Sequence, residues 1–216
     1  MKSKQTEKAG KQPQRRVSAH ERLESLPEVF TFSTLTRVIG GDKKKSTVYV
    51  NRWKKSGLIK PLGPRVGIYY NLVKNPRADK DKSLYAIKLL FPEAVLSGVT
   101  VLHNDAVTTQ VPYNIDINIL TRRSVPKVEG FLIHCRPKTW FHQFRDLLEP
   151  FVPLMKMKPE FALADAWKYG IWRPDPDDID FDELNVDLLS KTFKRLKYPY
   201  PEHYPKPGAS KYLYLL

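Results

Sequence analysis

The sequence predicts an α+β protein in two parts, an N-terminal winged helix-turn-helix joined to a C-terminal mixed α+β domain. Three observations carry that prediction. The first is residues 42–59, DKKKSTVYVNRWKKSGLI, which read as one short basic helix closed by Gly57 and leading into an apolar extended segment. The second is the pattern of the next residues: an apolar stretch at 58–62, a Gly/Pro turn at 63–67 and the strand-like IYYNL of 68–72. The third is the charge. Residues 1–77 hold 18 Lys/Arg against 5 Asp/Glu, whereas residues 78–216 hold 19 against 18, within a chain whose formal net charge is +14. A basic module joined to a near-neutral one is the electrostatic pattern of a polyanion-binding head on a body with another task.

Residues 1–17 are polar and basic, too poor in apolar groups to offset the entropy of ordering, and predict a flexible arm. Lys8, Lys11, Arg15 and Arg16 could add phosphate contacts there, with a solvated tail as the plainer reading. The module proper is expected over 18–74. Ser18 and Glu21 have capping-box spacing, and the helix they open turns Leu23 and Leu26 inward before stopping near 27–30. A second short helix is expected over 34–39, bearing Leu35, Val38 and Ile39. Gly40 and Gly41 then form the turn into the basic helix, which is helix-turn-helix spacing.

At 3.6 residues per turn the basic helix sorts into two faces. Ser46, Tyr49, Val50 and Trp53 fall on one side; Lys44, Thr47, Val48, Asn51, Arg52 and Lys55 fall on the other. Thr47, Val48, Asn51 and Arg52 are the candidates for base edges, because Arg pairs bidentately with guanine, Asn with adenine, and methyl groups touch thymine. Lys43, Lys44, Lys45, Lys54 and Lys55 are the candidates for phosphate, which fixes position without reading sequence. Arg65 sits at the expected wing tip, within reach of phosphate or a narrow minor groove. A solvated basic face and an ordinary exposed turn are the bland readings of the same residues.

Residues 75–82, NPRADKDK, are expected as a linker. The second domain is expected over 83–197. Residues 83–90 predict an amphipathic helix, Ser97 caps a short helix through His103, residues 114–120 alternate as a strand with Ile115, Ile117 and Ile119 on one face, and 131–134 form another. The tail, 198–216, alternates Tyr and Pro and predicts either a packed extended arm or a frayed end.

Composition excludes several classes. The single cysteine, Cys135, rules out an internal disulfide framework and a cysteine-rich zinc site, and its apolar setting predicts a small buried hydrophobe. No stretch approaches the roughly 20 apolar residues of a membrane span, and the charged N-terminus lacks a secretory core; a cytoplasmic protein is expected. No phosphate loop, dinucleotide fingerprint or nucleophile elbow is present, so neither enzymatic activity nor a cofactor is expected. The five histidines show no ligand spacing, and His103 reads as a satisfied core histidine. Asp175, Asp177, Asp178, Asp180, Asp182 and Glu183 form an acidic cluster without the glycine and terminal Glu of a calcium loop, and suggest a helix starting near Asp182. Two functional alternatives remain open: a winged-helix regulator with a small-ligand-sensing C-terminal domain, and an Mg2+-dependent nucleic-acid-processing enzyme using the 175–183 carboxylates.

The order of a winged helix, FPEAVLSGVTVLH at 91–103, TTQVP at 108–112 and a strand, with FALADAWKYGIWRPDPDDIDFDEL at 161–184, resembles the AbiEi antitoxins of AbiE-type (type IV) toxin–antitoxin and abortive-infection systems. The resemblance runs from about residue 21 to 189. It departs at Asn104-Asp105, where the family pattern has a smaller, glycine-containing turn. The resemblance implies a bacterial repressor that binds double-stranded operator DNA of its own operon, with a dimer on DNA left open. It further implies a C-terminal antitoxin-like domain that counteracts a nucleotidyltransferase-like toxin, with or without direct contact.

Overall fold

The computed structural model describes residues 18–208, so the expected basic arm (1–17) and the last residues of the tail (209–216) lie outside the described residues. The chain is a mixed α+β protein. Its first part runs α1 (Ala19–Glu24), β1 (Val29–Thr31), α2 (Phe32–Val38), α3 (Lys43–Lys55), β2 (Ile59–Pro61) and β3 (Ile68–Asn71). Each of its helices starts at a capping side chain. Ser18 and Glu21 make both bonds of the capping box at 3.1 and 2.7 Å, Thr31 accepts from the Thr34 N–H, and Asp42 accepts from the Lys45 N–H. Because Thr31 is the cap, α2 begins at Phe32 rather than at the expected Thr34.

The three strands pair antiparallel in the order β1-β3-β2, with Val29 opposite Tyr70 and Ile59 opposite Asn71. On one side of this sheet Leu23, Leu26, Phe30, Leu35, Val50, Trp53 and Ile59 form a small core. Asn71 is fully buried and donates to the Leu23 carbonyl at 2.8 Å, which satisfies the end of α1 and ties it to the central strand.

Residues 75–82 are not the linker the composition suggested. They contain α4 (Ala78–Asp81), whose Ala78 is fully buried. Their charges are used locally: Lys60 Nζ meets Asp79 at 2.8 Å and Lys82 meets Glu28 at 3.2 Å. The sheet also has a second buried face. Side chains alternate along β3, so Tyr69 packs into the small core while Ile68 and Tyr70 enter the large one, with Leu62 and Ala78. The two parts therefore share apolar packing across one three-stranded sheet.

The second part adds α5 (Ser83–Leu90), β4 (Val95–Leu96), α6 (Gly98–Asn104), β5 (Ile115–Leu120), β6 (Phe131–Arg136), α7 (Lys138–Gln143), β7 (Leu148–Phe151), β8 (Leu154–Met157), α8 (Pro159–Lys168) and α9 (Val186–Arg195). Its sheet has the order β6-β5-β4-β8-β7, parallel between β5 and β6 and between β4 and β8, antiparallel elsewhere. The expected alternation of β5 is only half the story. Asp116 and Asn118 are buried as well as Ile117 and Ile119, because the strand is covered on both faces.

Other expectations change in detail. Ser97 stands at the N-cap of α6, but its hydroxyl donates to Asn118 Oδ1 at 3.3 Å instead of capping the helix. Gly98 comes next at φ +56°, and a Cβ there would lie 2.9 Å from Asp116 Cγ, so close packing on β5 demands glycine. After α6, Ala106 takes the left-handed conformation at φ +59°, and the Val107 N–H reaches the Leu102 carbonyl at 2.8 Å. The chain thus makes at Asn104-Asp105-Ala106 the turn that a glycine makes more cheaply. Cys135 is exposed, not buried, because β6 is an edge strand. His103 Nδ1 is buried with no hydrogen-bond partner among the described residues, contrary to a satisfied core histidine. The helix expected near Asp182 is a single 3-10 turn, Phe181–Glu183; α9 starts later, capped by Asn185.

The described portion of the tail is a packed arm. Tyr198, Tyr200 and Tyr204 close over the large core, and the Tyr204 hydroxyl accepts from Trp167 Nε1 at 2.8 Å. Burial pushes the Tyr204 phenol up to about 12, offset in part by that hydrogen bond. Among the described residues no helix is long and apolar enough to cross a membrane.

Candidate nucleic-acid interface

Helix α3 holds the candidate residues, and its local chemistry explains how they are presented. Asp42 caps it, and the Lys45 backbone N–H bound to that carboxylate holds the Asp42 pKa below its ordinary value. One turn on, Ser46 is fully buried; its hydroxyl donates to the Asp42 carbonyl at 2.8 Å and lies 2.9 Å from the Thr36 hydroxyl. That contact joins α2 to α3 and sets their rotation about each other. Thr36 carried no sequence signal for this, since a polar residue on a short helix is usually solvated. Val50 and Trp53 continue the buried stripe, and half-buried Tyr49 covers Trp53 with ring centroids 5.2 Å apart. The Arg22 guanidinium stands 5.8 Å from the Tyr49 ring, closing the edge of the core with a cation–π contact.

With one stripe buried, the other is fixed outward. Lys43, Lys44, Lys45, Thr47, Val48, Asn51, Arg52, Lys54 and Lys55 are all exposed, on the side away from the core. Lys45 is drawn back toward Asp42 at 3.3 Å, and the Thr47 hydroxyl donates to the Lys43 carbonyl at 3.0 Å. Val48 is 57% exposed, an apolar group in the middle of a cationic face. Arg65 is exposed in the turn between β2 and β3, a turn closed by the Leu62 N–H on the Ile68 carbonyl at 3.0 Å. Its φ of +60° is costly for a side chain with a Cβ and points to a turn held by its surroundings. The ten candidate residues therefore lie on the outward stripe of one helix and the tip of one turn, and none is in a core.

The second part treats charge in the opposite way. Asp165, on α8, is 1% exposed and accepts from Arg136 Nη2 at 2.6 Å, Trp140 Nε1 at 2.9 Å and Asn118 Nδ2 at 3.3 Å. Arg136 also stacks on Tyr169 at 3.7 Å. Asp116 Oδ1 meets His134 Nε2 at 2.9 Å nearby. Such saturated groups orient a core. The acidic residues 175–183 spread over two 3-10 turns, with Asp180 Oδ1 taken by the Asp182 N–H at 3.0 Å. Among the described residues no three His, Cys, Asp or Glu side chains gather in a group that could hold a metal ion.

No family model matches the sequence, and no curated protein matches it. Among solved structures the chain is similar to the protein Rv2827c from Mycobacterium tuberculosis, with a TM-score of 0.53 and 15% identity. The match covers 82% of this chain and 69% of that one. The likeness is one of fold.

Proposed function

We propose that the chain is a DNA-binding antitoxin whose first part is a winged helix. In this reading it represses its own toxin–antitoxin operon, and its second part counteracts a nucleotidyltransferase-like toxin in the cytoplasm. The observation that carries the DNA half is the outward stripe of α3, rich in lysine and backed by buried Ser46, Val50 and Trp53. The order helix, strand, helix, helix and hairpin, with β3 central in its sheet, supports the winged-helix reading. In this reading α3 enters the major groove, Arg52 and Asn51 meet base edges, the lysines at its two ends hold phosphates, and Arg65 reaches the neighbouring backbone. The antitoxin half rests on the resemblance of 91–112 and 161–184 to the AbiEi antitoxins. A second copy on the operator would supply the other half-site.

A cell assay with two readouts tests both halves. The full chain and an Arg52→Ala/Lys54→Ala/Lys55→Ala variant are expressed with a reporter under the chain's own upstream DNA, and separately with the adjacent toxin gene. The reading expects repression to be lost by the variant while growth rescue persists. Repression equal to wild type would overturn the DNA assignment, and absence of rescue by wild type would overturn the antitoxin assignment. Substitution is used rather than truncation because Leu62, Ile68 and Tyr70 belong to the large core.

A further inference from the structure

The connection from β5 to β6 brings a second basic element beside the turn that carries Arg65. These strands are parallel and in register from Ile115 opposite Phe131 to Leu120 opposite Arg136, so the chain must return the full length of the strand between them. A six-residue strand is roughly 20 Å long, and the crossover has only residues 121–130, with no helix. Ten residues span at most about 33–36 Å fully extended, so the return alone takes up more than half of the segment's reach. The segment is also pinned. Val128 is 2% exposed in the core that holds Leu62 and Ile68, and partly buried Val125 packs on the same core. The Lys127 carbonyl lies over Gly63, where an added Cβ would be 2.7 Å from it.

What this strap presents outward is positive. Arg122 is held by Glu93 at 2.7 Å and covers Phe91, but Arg123 and Lys127 make no ion pair within the described residues and neither is buried. The one carboxylate of the strap, Glu129, is exposed and acts on Lys60 of β2. The Lys127 backbone thus lies beside Gly63, two residues from Arg65 in the turn. We propose that Arg123 and Lys127 form, with Arg65, one phosphate-binding strap, so that the nominally neutral second part extends the DNA footprint past α3. This rests on the DNA-binding reading of α3. It also gives the shared packing of the two parts a use, since the strap is positioned only when both are folded together.

The test measures binding of the full chain to a random-sequence duplex over a range of salt concentrations. Arg123→Gln/Lys127→Gln is compared with wild type and with a charge-matched control, Lys191→Gln/Lys194→Gln, on exposed positions of α9. Each lost phosphate contact reduces the slope of log affinity against log salt by about 0.9, so the strap variant should lose about 2 while the control keeps the wild-type slope. Glu129→Gln should tighten binding. A strap variant with the wild-type slope, or one matching the control, overturns the proposal while leaving α3 untouched if Lys55→Ala still weakens binding. A wild-type chain that binds no duplex overturns the parent reading and the strap together.

Discussion

The two parts of this chain use charge in opposite ways. In the first, a core of Leu23, Leu26, Phe30, Leu35, Val50, Trp53 and Ile59 supports a helix whose cations face outward, and among the described residues Lys45 alone of its lysines meets a carboxylate. In the second, a core several times larger takes charge inside, with Asp165 saturated by Arg136, Trp140 and Asn118. Unpaired outward cations raise self-repulsion and cost stability, a cost that the proposed contact with DNA would offset. Buried, fully bonded charge does the reverse: it specifies one packing and presents nothing to a ligand. Net charge alone would have assigned binding to the first part only. The strap at 121–130 carries cations on the near-neutral part to the edge of the basic one.

Breaking either core should give the largest effects. Asp165→Ala leaves the Arg136 guanidinium buried without its carboxylate and should cost about 3–5 kcal/mol in urea unfolding. Trp53→Ala empties the small core and should cost a comparable amount, about 3–5 kcal/mol. Because Leu62, Ile68 and Tyr70 bridge the parts, both variants should unfold in one transition when monitored by tryptophan fluorescence and by far-UV circular dichroism. Separate transitions for the two probes would show that the cores are independent.

Smaller effects sharpen the contrast at α3. Arg52→Ala should leave stability within about 0.5 kcal/mol and cost on the order of 1–3 kcal/mol at one base pair of the operator. Lys55→Ala should instead weaken all duplexes alike. The smallest effect concerns the cap. Because the pKa of Asp42 is lowered in the folded chain, its contribution is present above the ordinary carboxylate range and is lost as pH falls through the lower folded value. Asp42→Asn keeps an acceptor and should remove that acid sensitivity of α3, read by hydrogen exchange of its first-turn amides. Asp42→Ala should increase first-turn exchange at neutral pH too.

The faces of α3 were legible because thirteen residues give the helical period several turns in which to show itself. Strand β1 was not, since three residues cannot display alternation. The supposed linker failed for a different reason. NPRADKDK has the composition of solvated chain, but its charges pair with Lys60 and Glu28 on neighbouring elements, a relation only the fold creates. Cys135 misled because GFLIHC is apolar in sequence yet forms a sheet edge, and edge position is a property of topology. At the candidate site, the outward stripe was readable from spacing, whereas the Thr36–Ser46 contact and the strap beside Gly63 join residues far apart in the chain.

The central claim is that the outward face of α3 reads DNA. Its most direct test is the affinity of the full chain and of Arg52→Ala for the chain's own upstream duplex and for a scrambled duplex of equal length, at one fixed salt concentration. Wild type should prefer the upstream duplex by at least about tenfold, and Arg52→Ala should lose most of that preference while retaining its weaker binding to the scrambled one. Equal affinity of wild type and Arg52→Ala for both duplexes would contradict it.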